Sequence, residues 1–197
     1  MNGNGMPARQ KGAVLIIALV VLVVMTLSAL SLIHSVNTTN LISGNLAFRE
    51  SAVLSAESAT EIALNGWLIP NSSLKETKLH FDDAQHGYRA TRADPADGES
   101  WETFWEKSLT DPRQFVTVEE DVAGNVVSYV IHRLCESTGT PLAEATKCVK
   151  PPIGDSDSSR VGGNKPSETS NQVYYRITSR VSGPRNTVVY TQTIVAL

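Results

Sequence analysis

The chain has 197 residues, of which 41% are hydrophobic and 19% charged, and its formal net charge is −3. That length suits one domain with an appendage. A mildly acidic balance excludes the concentrated basic face that a phosphate backbone requires, so nucleic acid is not expected as a partner.

Charge is distributed unevenly along the chain. No Asp or Glu precedes Glu50, and the only Lys or Arg residues before it are Arg9, Lys11 and Arg49. Ala13 to Ile33 is a run of 21 uncharged residues whose polar members are Thr26, Ser28 and Ser31. As a helix rising 1.5 Å per residue it would be about 30 Å long, the thickness of a bilayer's hydrocarbon. It has no polar stripe, unlike an ordinary surface helix. Three readings compete. A cleaved secretory signal has a shorter apolar core and ends in a small-x-small site, and neither is present. A plain membrane anchor is the second. The third is a class III signal peptide, cut on the cytoplasmic side of the apolar helix after a Gly preceded by a basic residue. Lys11-Gly12 before Ala13-Val14-Leu15-Ile16 looks like such a junction, and its place beside a full-length apolar run favours this reading. Residues 1–12 are then a leader, cut between Gly12 and Ala13, and residues 13–34 a membrane segment. Arg9 and Lys11 precede the run and nothing basic follows until Arg49. By the positive-inside tendency the N-terminus stays cytoplasmic, the chain crosses the inner membrane once, and the rest is periplasmic.

The helical pattern continues through residues 35–69. Leu41, Phe48, Ala52, Ala56, Ala59, Ala63 and Gly66 recur at spacings of three, four or seven, one narrow Ala-rich face. Arg49, Glu50, Ser55, Glu57, Ser58 and Glu61 form the opposite face. Pro70 ends the pattern. One helix is expected from about Ala13 to about Leu68. Asn37 to Asn45 combines Gly, Asn and Thr, all weak helix formers. A melted hinge there and a continuous helix both remain open.

Residues 70–197 read as a globular α+β domain. Lys78–Phe81 and Gly87–Thr91 are predicted short strands. Glu99–Leu109 reads as a helix, with Trp101, Phe104, Trp105 and Leu109 on one face; paired Trp residues can form a ligand platform but more commonly pack in a core. Phe115–Glu120 and Val126–Leu134 are predicted strands around the turn Ala123-Gly124-Asn125. Val173–Val181 and Thr187–Ala196 are two more around Ser182–Asn186. The expectation is an antiparallel β-meander with one face buried on the Ala-rich helix and the other wet. Between the strand pairs lies a loop over 136–171, rich in Gly, Pro, Ser and Thr. Loops of this length are commonly functional or disordered.

Cys135 and Cys148 are the only cysteines. In an oxidising periplasm a disulfide is the default for such a pair. A redox or metal role would call for C-x-x-C or clustering with His. His34, His80, His86 and His132 share no ligand spacing. Asp155–Ser159 faintly resembles a calcium loop but lacks its glycine and terminal acid at the required offsets. No motif for a cofactor, a phosphate loop or a catalytic nucleophile is present.

Several segments together resemble the PilX family of minor pilins. They are Gln10 to Leu19 with the run that follows, Asn40 to Arg49 with Ala56-Glu57-Ser58-Ala59, and the strand segments Tyr129–Cys135 and Tyr175–Thr187. The resemblance implies a type IV pilin-like fold and no enzyme activity. It implies cleavage by prepilin peptidase after Gly12, methylation at Ala13, and packing of Leu15, Ile16, Ile17, Leu19 and Leu22 in a helical filament core. It further implies a tip or priming complex with other minor pilins, the major pilin and a PilY-type adhesin, serving adhesion and twitching motility. One position departs from the family of pilins at large. Most carry Glu at the fifth mature residue, which here is Ile17, and His34 stands where major pilins often have Pro. That carboxylate is thought to neutralise a neighbour's N-terminal amine, since a buried unpaired charge is costly. Its absence suits a terminal subunit, as in the GspK-like pseudopilins of type II secretion. A pseudopilin of that kind, or a bitopic envelope protein with a ligand-binding periplasmic domain, are the alternatives.

Overall fold

A computed structural model describes residues 12–73, 76–152 and 171–197. The residues before Gly12, expected as a leader, the Asp155–Ser159 stretch and most of the second half of the 136–171 loop lie outside the described residues. The chain divides into two compact units, the first ending at Ala47 and the second spanning Phe48–Leu197.

Helix α1, Ala13–Ala63, passes through both. Its backbone is unbroken over Asn37–Asn45, which decides between hinge and helix in favour of the helix. The helix then widens into a π-turn, Leu64–Leu68, and tightens into a 3₁₀ turn, Ile69–Asn71, around Pro70. Asn71 Nδ2 donates to the Trp67 carbonyl at 2.7 Å and ties off the end.

In the second unit, Ala52, Ala56, Ala59 and Ala63 are fully buried. Short side chains let the helix backbone approach the sheet closely, and Val127, Tyr129, Ile131, Tyr175, Ile177 and Val181 fill the interface. Gly66 departs from the predicted face and is exposed. The π-turn shifts the register, so that Trp67 and Leu68 are buried instead. Trp67 stacks flat on His86, with ring centroids 3.8 Å apart. Ser55, expected on the outer face, is half-buried. Its hydroxyl donates to Asp121 Oδ2, and Asn125 Nδ2 donates to Ser51 Oγ and Ser55 Oγ at 3.0 and 3.1 Å.

Five strands form one sheet: β1 (Tyr88–Arg89), β2 (Val116–Thr117), β3 (Val126–Arg133), β4 (Tyr174–Gly183) and β5 (Thr187–Ala196). The order is β1-β3-β4-β5, and β2 also pairs with β3. The predicted meander holds for β3, β4 and β5, which pair antiparallel. The sheet as a whole is mixed, because β1 runs parallel to β3. Parallel neighbours need a long crossover, and the chain between β1 and β3 supplies it, carrying helix α2, Trp101–Ser108, and then β2. Ser100 caps α2 by accepting from Thr103 N–H.

The sheet's second face is not wet as expected. Phe104, Trp105 and Leu109 cover Val130 and pack with Phe115 and Tyr190. Both faces of β3 are therefore buried. Trp105 is core, whereas Trp101 is half-exposed and holds the Arg176 guanidinium 4.9 Å above its ring. Three of the predicted strands are absent or shortened, the predicted Gly87–Thr91 strand being reduced to Tyr88–Arg89. Lys78–His80 is a 3₁₀ turn and Phe81 is exposed. Only Val116–Thr117 of the predicted 115–120 strand pairs.

Candidate functional site, an apolar helix and its junction

The first unit is a surface made by composition. Every side chain from Ala13 to Ile33 is exposed. The most apolar 18-residue window has a mean hydropathy of 3.0 and none of it is buried. Leu15, Ile16, Ile17, Leu19 and Leu22 are between 59% and 69% exposed. Among the described residues nothing covers them. The hydroxyls that interrupt the run turn back onto the helix: Thr26 Oγ1 donates to the Val23 carbonyl and Ser28 Oγ to the Val24 carbonyl, each at 2.8 Å. Polar groups satisfied within their own helix are what a water-free surrounding demands. This is one helix long and apolar enough to cross a membrane.

Gly12 sits at the head of this helix. Its carbonyl accepts the first helical hydrogen bond, from Ile16 N–H at 3.4 Å. A Cβ added at Gly12 would meet nothing within 4 Å. Packing among the described residues therefore places no demand for glycine at residue 12. Ala13 is the first residue of α1. Lys11 lies outside the described residues, as does the side chain of His34.

These features match a known pattern. The family model described as PilX N-terminal matches residues 11–61. Over that stretch, about a quarter of its length, the chain is similar to the PilX family. It is a type IV pilin-like protein, with one long N-terminal helix followed by an α+β unit. No curated protein and no solved structure matches it.

The remaining predicted residues of this chain fall in the second unit. Cys135 and Cys148 are joined by a disulfide that closes a 13-residue separation. His80, His86 and His132 do not converge, and among the described residues no group of three His, Cys, Asp or Glu could hold a metal ion. His132 is buried, and burial, with the charges of Arg176 and Arg89, lowers its pKa to about 4.

Sequence reasoning missed Arg133. Its side chain is fully buried. Nε donates to the Ala90 carbonyl at 3.0 Å, Nη1 to those of Leu79 and Gly139 at 2.9 and 2.8 Å, and Nη2 to that of Ser137 at 3.2 Å. One guanidinium thus gathers the segment before β1, the end of β1 and the start of the disulfide loop. Its only sequence signal was a cation inside a strand otherwise rich in apolar residues. Asp121 was also missed. It accepts from Ser55, Ala123 and Asn125, and those bonds lower its pKa to about 2.

Proposed function

We propose that this chain is a minor pilin of a type IV pilus, part of a tip or priming complex that initiates assembly and displays an adhesin. The observation that carries the reading is the wholly exposed, uncharged helix from Ala13 to Ile33, set ahead of a small folded unit. In the uncut chain it rests in the inner membrane, with residues 1–12 cytoplasmic as the leader and residues 70–197 periplasmic. Residues 35–69 carry the helix onward from the bilayer. Prepilin peptidase cuts after Gly12 and Ala13 becomes the methylated N-terminus. Leu15, Ile16, Ile17, Leu19 and Leu22 then exchange lipid for neighbouring helices. Ile17 supplies no carboxylate for a neighbour's N-terminal amine, which favours a terminal place over repeated incorporation. Other minor pilins, the major pilin and a PilY-type adhesin are the partners under this reading.

The apolar Ile17 equally favours a tip pseudopilin of type II secretion. Deletion of the chain separates the readings. Loss of surface pili with secretion intact is expected of the minor pilin. Loss of secretion with pili intact identifies the pseudopilin. Normal pili, normal secretion and an uncut N-terminus overturn both and leave a bitopic envelope protein.

A further inference from the structure

A small cavity opens where the tail of α1, the Lys78–His80 turn, the disulfide loop and the start of β4 meet. Asn71, Leu79, Val173 and Tyr175 form its inner wall, and each is at least nine-tenths buried. Ser73, Glu76, Thr140, Leu142 and Asn171 form its exposed rim.

Two polar groups of the inner wall are unpartnered. Asn71 donates its amide N–H to the Trp67 carbonyl at 2.7 Å. That bond fixes its Oδ1 as an acceptor, and it meets no donor among the described residues. The Tyr175 hydroxyl also bonds to nothing among the described residues. That of Tyr88, in the same core, donates to the Leu79 carbonyl at 2.7 Å. Buried polar groups are ordinarily paired. Neither the Asn71 Oδ1 nor the Tyr175 hydroxyl is sealed in the core, so the cavity is where each keeps access to a partner.

Volume and charge narrow that partner. The cavity measures about 40 Å³, against about 10–15 Å³ for one water, so it holds about three waters or a group of about four heavy atoms. Burial and then the Arg133 charge lower the pKa of His80, which also lines it, so that this imidazole is neutral. With a guanidinium inside the fold and the Glu76 carboxylate at the rim, a ligand of either sign is attracted by one and repelled by the other. A neutral group fits, with an acceptor for Tyr175, a donor for Asn71 and a short apolar end for Leu79 and Val173. An acetamido group has that size and that set. The rim points to its source. Short hydroxyl and amide side chains bond the hydroxyls of a sugar ring, and of the exposed rim only Leu142 is apolar.

We propose that this cavity receives the acetamido group of an N-acetylated amino sugar, with the sugar ring on the rim. The Tyr175 hydroxyl donates to the acetamido carbonyl, Asn71 Oδ1 accepts from its N–H, and the methyl group meets Leu79 and Val173. The proposal rests on neither the Gly12 junction nor pilus assembly.

NMR of the isotope-labelled full chain in phosphocholine micelles tests it. N-acetylglucosamine is the probe, and glucose, with a hydroxyl in place of the acetamido group, is the control. The amides of Asn71, Leu79, Thr140 and Val173 should shift with the probe and not with glucose. Saturation of the chain's methyl groups should reach the acetamido methyl more strongly than the ring protons. Tyr175→Phe removes a hydroxyl that bonds nothing in the free chain, so the unfolding midpoint should hold while Kd rises about fivefold. Equal shifts with glucose, or shifts that fall outside the cavity, would overturn the proposal. So would no shift at about 20 mM probe, enough to saturate a site with a Kd of about 1 mM, or an unchanged Kd in Tyr175→Phe. Equal affinity for N-acetylglycylglycine would make a polypeptide the source and overturn the sugar.

Discussion

Replacing Arg133 by Met should destabilise the second unit by about 4 kcal/mol. The guanidinium makes four hydrogen bonds to carbonyl oxygens while fully buried. Hydrogen bonds from a charged donor contribute about 1.5–3 kcal/mol each, which sums to roughly 6–12 kcal/mol before opposing terms. Against that stands the desolvation of the ion, several kcal/mol, which Met does not incur. The Ser137 and Gly139 carbonyls can also recover water, since they are only part-buried. The balance is about 4 kcal/mol, a large share of the roughly 5–15 kcal/mol available to a domain. Urea unfolding of the full chain in detergent, followed by tryptophan fluorescence, measures it. Hydrogen exchange adds a spatial check, because amides of the 136–146 loop should lose protection more than those of β4. Arg133→Lys should recover only part of the loss, since one ammonium cannot reach all four carbonyls with a fork's geometry. A Met variant within about 1 kcal/mol of the parent would refute the clamp.

Titration of His132 gives a second test. Its folded pKa, about 4, lies below the ordinary 6.5, so the unfolded chain takes up the proton first. Stability is fully present above pH 6.5 and declines as pH falls towards 4, by about 3 kcal/mol in all. His132→Gln should flatten that window, leaving the lower one set by Asp121, whose folded pKa of about 2 lies below its ordinary 3.8. Opening the Cys135–Cys148 bridge by Cys→Ala at both positions should cost about 3 kcal/mol in the same urea assay, the loop-closure estimate for its length. Leu22→Lys places a cation in the apolar run at a cost of about 3 kcal/mol for insertion. The carbonate-resistant membrane fraction should fall, while the unfolding midpoint of the second unit stays as in the parent.

The sequence made the long elements legible because their periods are strong. Ala52, Ala56, Ala59 and Ala63 mark a helix that must approach something closely, and the alternation of Val173 to Val181 marks a strand, although β4 is buried on both faces at its centre. The short elements misled. Lys78-Leu79-His80-Phe81 alternates, but four residues cannot distinguish a strand from a 3₁₀ turn, and Leu79 alone turns inward. Gly66 fits the α period, and no local signal announces the π-turn that gives its place to Trp67. The parallel placing of β1 and the covered second face both follow from where α2 docks, a tertiary choice made by Phe104 and Trp105. The apolar helix was legible from composition alone, since exposure of an uncharged run needs no partner to be noticed. Arg133 and Asp121 were not, because their roles depend on carbonyls and hydroxyls that are distant in the chain. Asn125 and Gly183 illustrate the same limit. A Cβ at Gly183 would meet Asn125 Oδ1 at 2.5 Å, a close approach that no pattern around either residue foretells.

The central claim is that the exposed helix beginning at Ala13 belongs to a processed pilin. N-terminal sequencing with mass analysis of the mature chain, recovered from membranes and from sheared pili, tests it most directly. The account predicts a single N-terminus at Ala13 carrying a methyl group, and its loss in Gly12→Val, a substitution that the free space around Gly12 tolerates without disturbing the fold. A mature chain that retains the residues before Ala13, or a Gly12→Val chain still cut at Ala13, would contradict it.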